Sequence, residues 1–134
     1  MKRHVRNFTF MAALLGAAAL AGDTAELYFL MPEDGAVVKN PVRVVFGLSG
    51  MGIAPAGVAH PNTGHHHLVI DAPLPAAGKA IPANEHYRHF GGGQTETLLE
   101  LSAGTHTLQL VLGDSLHVPH EPMVTSKKIT IVVE

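Results

Sequence analysis

Apolar residues in this chain recur at every second position in short runs, and turn-forming residues separate the runs. Leu27, Phe29 and Met31 share one face of a strand that Pro32-Glu33-Asp34-Gly35 ends. After the break at Asn40-Pro41, Val42, Val44, Phe46 and Leu48 mark a second strand. His65 to Asp71 forms a third, because Leu68-Val69-Ile70 is too short for a helix and its β-branched residues suit a pleated surface. Pro73, Pro75, Gly78 and Pro82 keep the next stretch irregular, with one short strand near residues 85–90. Three more runs follow the triple glycine Gly91 to Gly93, carried by Thr95, Thr97, Leu99 and Leu101, by Leu108, Leu110 and Leu112, and by Ile129, Ile131 and Val133. No segment has a helical period. The chain is therefore expected to be all-β, a small immunoglobulin-like β-sandwich of about seven strands, with a small barrel as the alternative.

The start of the chain changes where that domain begins. Lys2, Arg3, His4 and Arg6 precede an apolar, Ala-rich stretch, Phe8 to Leu20, and Ala19-Leu20-Ala21 offers small residues for cleavage. Residues 1–22 read as a secretory signal peptide and 23–134 as a single β-sandwich domain, periplasmic or secreted, with no membrane insertion after cleavage. Beyond the leader, acidic residues outnumber basic ones and form no opposing basic stripe, which argues against nucleic acid. The absence of cysteine excludes disulfide staples and thiolate metal sites. The core alone must hold the fold.

Histidine is the compositional anomaly, with ten in 134 residues. Alternation along the third strand puts His65 and His67 on one face, both partly exposed, and His66 on the other with Leu68 and Ile70. In the expected topology the loop before this strand, the segment near His86 and His89, and the loop carrying His117 and His120 meet at one end. Eight histidines from three distant segments would gather there, including His60. His106, in phase with Leu108, belongs on the order of 20 Å away at the other end. There it would bond back to nearby backbone, as a corner tyrosine does in some sandwiches.

Clustered imidazoles are borderline ligands, and divalent affinity at such sites rises to copper and falls back at zinc. The candidate metal ligands are His65, His67, His117 and His120, with His89 in reserve, and the cofactor is copper or zinc. Met51 and Met123 are candidate soft ligands, and Asp114 and Glu121 are placed to orient imidazole N–H groups. Gly64 and Gly91 to Gly93 read as serving backbone geometry. The alternative is a module that uses the same loop end, without metal, to bind a small ligand or a periplasmic protein partner. Gly113-Asp114-Ser115-Leu116 matches an esterase nucleophile motif, but it lies late in a small β chain with only His117 and His120 behind it. The chain is expected not to be an enzyme.

The runs Gly47-Leu-Ser-Gly-Met51-Gly-Ile-Ala-Pro-Ala-Gly57, Pro61-Asn-Thr-Gly-His65-His-His-Leu68, His89-Phe-Gly-Gly-Gly-Gln-Thr-Glu96 and Gly104-Thr-His106-Thr-Leu-Gln-Leu-Val-Leu-Gly-Asp114 resemble an exported bacterial family, domain of unknown function 4399. With His117-Val-Pro-His120 the resemblance spans nearly all of residues 26–133. It implies a small periplasmic or secreted β domain and carries no activity or ligand.

Overall fold

The computed structural model describes residues 24–134; the signal peptide expected over residues 1–22 lies outside them. Nine strands follow in order: β1 (Glu26–Met31), β2 (Val37–Val38), β3 (Val42–Ser49), β4 (Gly52–Ile53), β5 (Thr63–Ile70), β6 (Tyr87–His89), β7 (Glu96–Leu99), β8 (Gly104–Gly113) and β9 (Ile129–Val133). They form two sheets, one ordered β1-β3-β7 and one ordered β2-β9-β8-β5-β4, with β6 paired on β5. The architecture is an all-β sandwich. β2 and β4 escape the sequence reading because two residues cannot show an alternation.

Period-2 patterning decides which side chains face the interior. Leu27, Val42, Val44 and Phe46 from one sheet meet Leu68, Leu108, Leu110, Leu112 and Ile131 from the other, all nearly sealed from solvent. Each fully buried Leu or Ile contributes about 1.5–3 kcal/mol by leaving water. His66 belongs to this interior, as its phase with Leu68 requires. Its ring centroid is 5.0 Å from that of Phe46.

β5 and β8 run antiparallel with His65 opposite Gly113, His67 opposite Val111 and Ile70 opposite Leu108. β6 lies on the other side of β5 with His67 opposite His89. The outer face of β5 is not open to solvent as its alternation suggested. The segment between β5 and β6 folds back over it, and Ile81 packs with Val69 and Val111 in a second small core flanked by Leu74 and Tyr87. That covering buries His65 and His67 to 0% and 1% exposure, where partial exposure was expected. Proline and glycine hid the covering from the sequence, since they leave no period to read.

Candidate metal centre

Four imidazoles converge on the outer face of β5. His65 and His67 come from β5 itself, His89 from the neighbouring β6, and His117 from the loop after β8. Each offers a ring nitrogen, and the four nitrogens lie within 4.8 Å of one another. His65 Nε2 is 3.2 Å from His117 Nδ1 and 3.2 Å from His89 Nε2. Nitrogens held about 2.0–2.1 Å from a central ion in a tetrahedron are about 3.3–3.4 Å apart, so the two 3.2 Å separations suit ligation and the widest pair must close by up to about 1.4 Å.

Protons alone do not satisfy this arrangement. A ring nitrogen carries either one proton or one lone pair, so Nε2 of His65 can serve one well-directed hydrogen bond but faces two neighbouring nitrogens. Nδ1 of His65 and Nδ1 of His67 are buried with no hydrogen-bond partner among the described residues. Burial is the main cause that lowers the pKa of His65 to about 4 and of His67 to about 3; the adjacent imidazoles add to it. Burial and the neighbouring His117 also push His89 down. His65, His67 and His89 are therefore held as neutral nitrogen donors at pH 7, which is the form a metal requires.

Local sequence explains how the rings fit. A Cβ on Gly113 would come within 2.7 Å of His67 Cε1, and a Cβ on Gly91 within 2.3 Å of His89 Cε1. Neither glycine has a positive φ, so space for the imidazoles is what these positions provide. Gly91 thus serves a ring and not the backbone turn expected of it. His117 itself has φ 64°, a left-handed conformation rare outside glycine. Asp114 holds it there: its Oδ1 accepts from the N–H groups of Leu116 and Val118 at 2.8 and 3.0 Å, and its carbonyl accepts from His117 N–H. The carboxylate thus shapes the loop backbone instead of orienting an imidazole. The carbonyl of His117 in turn accepts from Ile81 N–H at 2.8 Å, tying the covering segment to the site.

The other histidines separate from this group. His120, expected as a ligand, is outside it. Its Nε2 lies 2.7 Å from where a Gly64 Cβ would stand, beside Leu112, and so over the inner face of the sheet. Gly64 shares the phase of His66, not of His65, which puts the backbone of β5 between His120 and the cluster. Like Gly91, Gly64 makes room for a ring. His86 was expected at the same end, but β6 runs antiparallel to β5, and Nδ1 of His86 sits 2.9 Å from the carbonyl oxygen of Ile70 at the far end. His60 is exposed and bonds the carbonyl of its neighbour Pro61. Met51 packs against the core and, with His60, His120 and Glu121, lines a cleft of about 700 Å³ at the open end of the sandwich.

His106 stands where its phase placed it, six residues along β8 from Leu112, the partner of His66. Its Nδ1 is 2.6 Å from Asp71 Oδ2 and its Nε2 is 2.8 Å from the carbonyl oxygen of Ser102.

Among known proteins, the model of a family described as Domain of unknown function (DUF4399) matches residues 44–134. No curated protein and no solved structure matches.

Proposed function

The chain belongs to the DUF4399 family, and on that premise we propose that it is an exported, non-catalytic domain that binds one transition-metal ion through His65, His67, His89 and His117. The observation that carries this reading is the convergence of four ring nitrogens within 4.8 Å, two of the rings sealed from solvent. Four imidazoles complete a tetrahedral set and leave no position in it for a reacting water, which favours holding an ion over catalysis. Imidazole nitrogen suits copper(II) and zinc(II), and copper stands first because its divalent affinity exceeds that of zinc. The basic, Ala-rich start of the chain supports export to the periplasm or beyond.

Calorimetric titration of metal-stripped mature protein tests the proposal. One copper ion per chain should bind, with zinc weaker. Copper and zinc dissociation constants both above about 10 μM would remove the reading, because scattered imidazoles reach that strength unaided.

The cleft of about 700 Å³ favours a second reading, a module that binds a small ligand or a protein partner at the loop end without metal. Capture of periplasmic proteins with chelator present separates the two. Partners retained in chelator support the module, and loss of every partner counts against it.

A further inference from the structure

The distances between the four ring centroids define a shape as well as a cluster. They are 4.7 Å for His65–His67, 5.0 Å for His65–His89, 5.1 Å for both His65–His117 and His67–His89, 6.1 Å for His67–His117 and 4.6 Å for His89–His117. An imidazole bonded at about 2.0–2.1 Å puts its centroid about 3.2 Å from the ion, so four in a tetrahedron have centroids about 5.2 Å apart. Four in a square have neighbours at about 4.5 Å and two opposite pairs at about 6.4 Å. No division of these rings into opposite pairs meets the square. The best sets His67 against His117 at 6.1 Å, but His65 must then oppose His89, only 5.0 Å away. The nitrogens of that pair are 3.2 Å apart, where a square needs about 4.1 Å. The set is a flattened tetrahedron. It is also held: His65 is sealed on β5 between β8 and β6, and Phe90 N–H, next to His89, donates to the carbonyl of His66 at 3.1 Å.

We propose that the ion this centre selects is copper(I). Copper(I) has a filled d shell and no directional preference, so a tetrahedron suits it, whereas copper(II) favours a tetragonal set. Charge points the same way. The cost of taking an ion out of water rises with the square of its charge, so a singly charged ion is the cheaper one to bury among neutral donors. Among the described residues no carboxylate is bonded to the four rings, and Asp114 Oδ1 is engaged by the N–H groups of its own loop. Copper(II) binds as well, because imidazole suits it, but without its preferred plane. Geometry and charge, not ligand softness, make the selection, and they raise the reduction potential of bound copper above that of the free ion.

This inference rests on the metal reading, and the experiment distinguishes their failures. Metal-free mature protein competes for copper(I) with bicinchoninate, under ascorbate without oxygen, and for copper(II) with nitrilotriacetate in air. The copper(I) dissociation constant should be the smaller by at least about 100-fold, which raises the reduction potential by about 120 mV at about 59 mV per tenfold. Electron paramagnetic resonance of the copper(II) form should show the small parallel hyperfine splitting of a flattened tetrahedron. A copper(I) preference below about tenfold, or the large splitting of a tetragonal set, overturns the selection while leaving the site intact. Binding of copper(I), copper(II) and zinc all weaker than about 10 μM removes both.

Discussion

The same two strands carry two histidine sites, one at each end, and the sites are opposites. At the β5–β8 end that begins with Asp71 and His106, one imidazole has every need met: Nδ1 faces a carboxylate at 2.6 Å and Nε2 a carbonyl at 2.8 Å. The hydrogen bond to Asp71 first, and then that to Ser102, lifts the pKa of His106 above the ordinary 6.5. At the other end, four imidazoles meet with no carboxylate among the described residues bonded to any of them, and three of the four have lowered pKa values. The number of histidines is not what distinguishes a candidate metal centre. The absence of a partner other than imidazole is.

Acid separates the two ends most strongly. His65, His66 and His67 have folded pKa values of about 4, 4 and 3 against 6.5, so the unfolded chain binds more protons between about pH 4 and 6.5. Metal-free protein therefore loses stability as pH falls through that window. A tenfold weaker hold on one proton is worth about 1.4 kcal/mol, and because the rings are coupled the expected loss from pH 7.5 to 4.5 is at least about 3 kcal/mol by urea unfolding. His106 has the reverse sign: its contribution is complete below 6.5 and is lost as pH rises through its raised value. Asp71 is held low despite its burial, by hydrogen bonds from His106 and Thr107 N–H, and contributes until pH falls through that lowered pKa. A flat stability profile between pH 7.5 and 4.5 would contradict the assignment of neutral, buried rings.

Removing one ligand is the next largest effect. His67→Ala should weaken copper binding by at least about 100-fold, or about 2.7 kcal/mol, in calorimetry, while His106→Gln leaves it within about twofold. Equal losses in both variants would end the distinction between the two ends. In unfolding, the order reverses for the satisfied site: His106→Gln should cost about 1–2 kcal/mol, the range for a hydrogen bond to a charged group at a partly exposed position.

Much of this comparison is legible in the sequence, and the reason is the period of two. It puts His66 among Leu68 and Ile70, pairs His65 with His67, and sends His106 inward at the opposite end. What the period does not describe is the path of the irregular segments. The covering segment with Ile81, the antiparallel run of β6 that parts His86 from His89, and the left-handed turn at His117 that parts it from His120 are all loop properties. The glycines carry a further signal that no alternation reveals: Gly64, Gly91 and Gly113 lie beside imidazoles that a Cβ would displace.

Gly113→Ala sharpens that last point with the smallest effect. Its Cβ would stand 2.7 Å from His67 Cε1 and 3.4 Å from Ile81, so the ring must shift. Copper affinity should fall about tenfold, or about 1.4 kcal/mol. Gly57→Ala, whose Cβ meets nothing within 4 Å, controls for glycine replacement and should leave affinity unchanged despite its φ of +82°. Equal affinity in wild type and Gly113→Ala would mean that His67 does not need the space.

The central claim is that His65, His67, His89 and His117 surround one ion. X-ray absorption at the zinc edge of zinc-loaded protein measures that shell directly. The account predicts four imidazole nitrogens at about 2.0–2.1 Å, falling to three with one oxygen in His65→Ala. A shell of two or fewer imidazoles, or a spectrum unaltered by His65→Ala, would contradict it.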